Sequence, residues 1–231
     1  MLHNWVGGML GQGCFVPYSF ADRGNVWSEH EAAHRVPTQS WHETGALAEG
    51  LIAGTLVATE LGWQPVEDLQ VGDRVVTFDN GMRPLQSVRV STLWTAAAAA
   101  PTGLWPLHLP AGALGNRTAM LLLADQPVLI ESDAGEDLFG DAFTLVPAGA
   151  LEGYKGVTRT APAREVTIVT LEFADDEVVY ANGTLLVQCR NGHRPTASTP
   201  NATLTLGDSS PYRCLTETQG RCLVAAMHTT G

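Results

Sequence analysis

Apolar and polar positions alternate in short runs along most of this chain, and such runs, punctuated by turn residues, predict strands more than helices. The clearest stretch is residues 54–90, GTLVATELGWQPVEDLQVGDRVVTFDNGMRPLQSVRV. Three strand-like runs, 55–59, 74–78 and 85–90, are separated by Leu61-Gly62, Val71-Gly72-Asp73 and Asp79-Asn80-Gly81, which carry hairpin and turn signals. Between the first two, Pro65 fixes the backbone. Val66 and Leu69, three apart, suit one helical turn anchored by two apolar side chains. Downstream, the apolar runs 121–123 and 128–130 flank a turn at 124–127, residues 143–147 and 166–173 continue the pattern, and 177–180 and 184–187 around Asn182-Gly183 predict a closing hairpin. The pattern predicts a mainly β fold.

The ends of the chain read differently. Residues 1–49 hold glycine clusters and three tryptophans, Trp5, Trp27 and Trp41, without a sustained period, and form a partly ordered leader. From Arg190 to the end the composition shifts to Asn, Gly, Pro, Ser and Thr, predicting a C-terminal tail of low order (190–231) that closes in a short strand at 223–225. The alanine run 95–102, broken by a proline, reads as a surface insertion, and 131–137 as an acidic loop without the oxygen spacing of a calcium site. His108 reads as a core-edge residue of its strand.

Length and composition bound the function. At 231 residues with 45% hydrophobic content, the chain builds a genuine core. Thirteen Lys and Arg against 24 Asp and Glu give a formal net charge of -11, which repels phosphate backbones and argues against a nucleic-acid partner. No run approaches the roughly 18 apolar residues of a membrane helix, and the start MLHNWVGGMLGQGC lacks the regions of a signal peptide. A cytoplasmic protein without a membrane partner is expected, leaderless secretion remaining open. The four cysteines, Cys14, Cys189, Cys214 and Cys222, show no CxxC pair and are read as reduced thiols, with a Cys214–Cys222 disulfide as the alternative in an oxidising compartment.

One motif suggests chemistry by itself. His30-Glu31-Ala32-Ala33-His34 is a formal HExxH, which on a helix sets two imidazoles on one face for zinc with Glu31 as general base. Ser28 and Glu31 have capping-box spacing. Pro37 stops such a helix after about two turns, apolar rows to bury it are missing from its flanks, and His42 falls two residues late for a third ligand. The motif is read as a solvated helical turn, with a zinc peptidase through His30 and His34 as the sharper alternative. Cys189 and His193 have a CxxxH spacing that lacks a second pair. No cofactor is expected.

The stretch 54–90 resembles the opening of a bacterial Hint domain, the fold shared by hedgehog autoprocessing domains and inteins. The matching pieces are Gly54-Thr55, WQPVEDL at 63–69, Val71-Gly72-Asp73-Arg74-Val75 and the Asp79-Asn80-Gly81 turn, followed in order by PAGALG at 110–115, LVPA at 145–148 and EVVYANG at 177–183. The resemblance covers roughly residues 50–189 and implies a twisted horseshoe of short strands. It also implies a chemistry in which the side chain of the domain's first residue attacks the carbonyl before it, exchanging an amide for an ester or thioester with the help of a proton-moving group.

By the spacing of that resemblance the first position falls on Gly50, which has no nucleophile. The histidine position, where relatives read like Ser-Pro-Gln-His, falls on Pro127 in Ala124-Asp125-Gln126-Pro127. The third position falls on Asp176 in Phe173-Ala174-Asp175-Asp176-Glu177, which keeps a carboxylate and lacks an imidazole. No residue is assigned as catalytic. The expectation is a degenerate, non-cleaving Hint domain acting as a structural or protein-interaction module, its former cleft lined by Gly50, Gln126 and Asp176 and occupied by its own leader or another peptide. An autoproteolytic domain with an unrecognised nucleophile is the alternative within the same fold.

Overall fold

The computed structural model describes residues 49–94, 102–161, 165–191 and 210–229. The first strands are β1 (Leu51–Ile52), β2 (Leu56–Thr59), β3 (Gly62–Pro65), β4 (Arg74–Thr77), β5 (Gly81–Pro84) and β6 (Ser87–Trp94). The middle of the chain adds β7 (Leu107–Leu109), β8 (Met120–Leu122), β9 (Pro127–Glu131), helix α1 (Asp133–Phe139), β10 (Phe143–Pro147) and β11 (Thr158–Arg159). The last elements are β12 (Glu165–Glu172), β13 (Glu177–Ala181), β14 (Leu185–Cys189), β15 (Arg213–Cys214) and helix α2 (Glu217–Thr229).

The strands make three sheets. The largest runs β15-β10-β9-β14-β13-β2-β4-β5 with β3 paired to β2, the second is β1-β12-β6, and the third is β11-β7-β8. The expected hairpins form where the turn residues stand. Gly81, at φ 66, follows Asp79-Asn80 at the β4–β5 turn, and Asn182, at φ 46, turns β13 into β14. Asparagine tolerates that left-handed conformation, and the fold uses its side chain too. The Leu56 amide donates to Asn182 Oδ1 at 2.6 Å, and Asn182 Nδ2 donates to Thr118 Oγ1 at 2.9 Å. The single turn after Pro65 is present as a 3-10 turn at Val66–Asp68, with Val66 and Leu69 both buried.

Burial alternates along β2 and β4, whereas β9 and most of β13 are buried on both faces. Val57, Val75, Val128, Val179 and Val187 are fully buried. Their strand neighbours Leu56, Val76 and Leu186 are only partly so. A buried carboxylate ties the β4–β5 turn to β13: Glu177 accepts from Arg83 Nε and Asn80 Nδ2, both at 3.0 Å.

Three expectations are corrected. The acidic segment after β9 is the helix α1, opened by Ser132, whose hydroxyl accepts the Gly135 amide at 3.0 Å, and closed by Gly140 at φ 78. The segment 223–225 lies inside α2 and is not a strand. Leu223 is fully buried and Val224 and Leu215 nearly so, so residues 210–229 pack onto the β core and are not a tail of low order. The alanine run 95–101 lies outside the described residues, as do most of 1–49, including His30 and His34.

Candidate functional site

The chain enters the first strand through one peptide bond, Glu49–Gly50, gripped on both sides. Leu51 and Ile52 pair with Val169 and Ile168 of β12, and Leu51 is almost wholly buried, which pins the segment. Just upstream, the carbonyl of Glu49 accepts from the Thr170 hydroxyl at 3.0 Å, and the Gly50 amide donates to Gln126 Oε1 at 3.1 Å. Gln126 is 2% exposed, and its Nε2 donates to the Gln188 carbonyl at 2.7 Å. That glutamine therefore bridges the start of the domain to β14. The Glu49 carboxylate meets the Arg190 guanidinium at 2.8 Å. A cavity of about 20 Å³ lies beside this peptide, lined by Glu49, Gly50, Gln126, Thr170, Cys189 and Arg190 among others. It has room for about one water molecule.

Position 50 requires glycine for two independent reasons. Its φ of 148° is one that L side chains rarely adopt. A Cβ there would also sit 2.6 Å from Ile168 Cγ2 and 3.0 Å from the Val169 carbonyl oxygen. Position 50 itself carries no side-chain nucleophile, and the space a side chain there would enter is filled by β12.

The other positions expected to matter are held in structural roles. Pro127 opens β9 and pairs with Pro147; it is buried and offers no proton donor. Asp176 Oδ1 accepts the Asn191 amide at 2.7 Å, fixing the chain where it leaves β14. Gly50 and Gln126 thus lie together as expected, whereas Asp176 is not among the residues lining the cavity.

Sequence reasoning missed Thr170, Cys189 and Arg190 as neighbours of this bond. Thr170 looks like any polar position of an alternating strand, and only the β1–β12 pairing brings it to Glu49. Cys189 is the thiol among the residues lining this cavity. Burial, reinforced by the carboxylates of Glu49 and Glu177, pushes it up to about 12, so it stands as a neutral thiol near pH 7. On the far side of Gln126, Asp125 is raised by burial and by Glu217, partly opposed by Arg159.

Among the described residues no cluster of three or more His, Cys, Asp or Glu is placed to hold a metal ion, and no helix is long and apolar enough to cross a membrane. The HExxH at 30–34 and His193 lie outside them. Cys214 and Cys222 are exposed and not bonded to each other.

A buried side-chain amide and a strand hydroxyl thus close on the single peptide bond through which the chain enters its mainly β unit. A family model for the Hint domain (Hint_2) matches residues 50–188, beginning at the gripped glycine. The chain belongs to the Hint domain family, and its fold is the mainly β Hint fold. Among solved structures it is similar to a bacterial intein-like domain from Clostridium thermocellum, at 17% identity over 62% of this chain and 99% of that chain, with a TM-score of 0.45. It is also similar to the gp41-1 intein, at 15% identity over 62% of this chain and 100% of that chain, with a TM-score of 0.38. No curated protein matches it.

Proposed function

We propose that this Hint domain does not cleave and instead holds its own upstream chain, serving as a structural or protein-interaction module. The observation that carries this reading is Gly50, which has no nucleophile and whose would-be side chain collides with Ile168. Gln126 and Thr170 still hold the amide and carbonyl of the bond before it. Gripping without a nucleophile gives retention, because acyl transfer needs both an attacking atom and a base within reach. The segment held is then Glu49, where the upstream chain enters the domain.

A second reading keeps self-cleavage, and the presence of the Cys189 thiol on the same cavity is what favours it. Against it stands the neutral state of that thiol, which leaves little thiolate to attack. Intact-mass measurement of the freshly purified full chain, before and after hydroxylamine, separates the two. A single species at the 24.6 kDa of the whole chain is expected throughout. A fragment beginning at Gly50 overturns retention, and its disappearance in Cys189→Ala assigns the cleavage to that thiol.

A further inference from the structure

Away from the gripped bond, a cavity of about 390 Å³ opens where the start of β14 and the end of β9 part company. Its apolar walls include Phe78, Leu129, Leu186 and, from α2, Met227, and its polar rim includes Tyr180 and Lys155. The volume lies in the range of small-molecule sites, about 300–1,000 Å³.

Lys155 is unusual three times over. Of the 13 Lys and Arg residues in the chain it is the one lysine. Its backbone is left-handed, at φ 43 and ψ 37, a conformation that otherwise falls, among the described non-glycine residues, only to Asn182. Asn182 gains two hydrogen bonds there and belongs to a residue type suited to the region; a lysine is not so suited. Backbone strain of this kind collects at ligand clamps and persists where the surroundings enforce it. Here they do so through Gly153 and Gly156 on either side and the Val157 amide donating to the Tyr154 carbonyl at 2.9 Å. The ammonium makes no ion pair among the described residues. It lies 5.2 Å from the centroid of the buried Tyr154 ring, which His228 of α2 meets edge-on at 5.1 Å.

We propose that this cavity binds a small amphipathic monoanion, its carboxylate on the Lys155 ammonium and its apolar body against Phe78, Leu129, Leu186 and Met227. Charge complementarity selects this occupant. On a chain of net charge -11, a cation with no ion pair among the described residues on a cavity of mixed polar and apolar lining is a local exception, and Glu131 on the same lining repels a carboxylate and so favours its placement at Lys155.

Titration calorimetry of the full chain with decanoate, 1-decanol and decyltrimethylammonium tests it. Decanoate binds saturably at one site, and the alcohol and the cation bind at least about tenfold more weakly, the loss expected for a charge-assisted contact. Lys155→Asn, which accepts the left-handed backbone while removing the charge, weakens decanoate by about tenfold or more, whereas Lys155→Arg retains it. Met227→Trp, which fills the hollow and leaves the ammonium, weakens all three. Unchanged decanoate affinity in Lys155→Asn overturns the proposal, as does the absence of saturable binding to the unmodified chain.

Discussion

Glycine at position 50 shapes the packing around the Glu49–Gly50 bond by contact. It carries no side-chain nucleophile, and the lack of a Cβ lets Ile168 close over the bond. Gly50→Ala therefore combines a disfavoured φ with overpacking in a tight site, and is expected to cost about 2–4 kcal/mol, read as a lower urea midpoint. Cys189 gives the complementary residue-scale expectation. Its thiol ionises near the ordinary 9.0 in the unfolded chain and only at about 12 in the fold. The group contributes its full stability below about pH 9, and that contribution is lost as pH climbs toward 12, because the unfolded chain releases the proton first. Denaturation midpoints of the unmodified protein should fall across that window more steeply than those of Cys189→Ala, and equal slopes would remove the buried thiol from the account. Native labelling should reach Cys214 and Cys222 well before Cys189.

At the scale of elements, α2 carries the sharpest test. Thr216 and Gln219 form a reciprocal cap, the Thr216 amide donating to Gln219 Oε1 at 2.9 Å and the Gln219 amide to Thr216 Oγ1 at 3.3 Å. Glu217 and Arg221 follow at helical spacing, 2.8 Å apart. In a free helix Gly220→Ala would stabilise by about 1 kcal/mol. Here an added Cβ would lie 2.7 Å from Ala150 Cβ and 2.8 Å from Val146 Cγ1, so the sign reverses and about 1–3 kcal/mol is lost. A raised melting temperature in Gly220→Ala would mean that α2 is not seated on β10 and its following turn. The T-x-x-Q cap was legible in the sequence, and so was the Ser132 start and Gly140 stop of α1. Both were outweighed by composition, the Asn, Gly, Pro, Ser and Thr of the preceding stretch in one case and the acidic run in the other.

Across the whole molecule, the start and the end of the Hint unit meet at one place, through two contacts of unequal worth. The Glu49–Arg190 ion pair is 39% and 30% exposed, and exposed pairs contribute about 0–1 kcal/mol. Gln126, in contrast, satisfies the Gly50 amide and the Gln188 carbonyl from a buried position. Arg190→Gln should thus shift the unfolding free energy by less than about 1 kcal/mol, while Gln126→Ala, which strands both backbone groups, should cost about 2–4 kcal/mol. Comparable losses in the two would show that the glutamine is not the bridge.

The sequence by itself determined the β class, the hairpins at Asp79-Asn80-Gly81 and Asn182-Gly183, the turn after Pro65, and the absence of a nucleophile at position 50, because each rests on local backbone preference or on residue identity. Only the tertiary structure decided which groups surround the Glu49–Gly50 bond. Thr170 and Cys189 lie more than a hundred residues downstream of it, and no local period marks a strand residue that a distant pairing will turn toward a given amide. The same holds for α2, whose cap was local but whose burial came from surfaces on β10 and the turn after it, and for Lys155, whose unusual backbone appears only once its neighbours have closed around it.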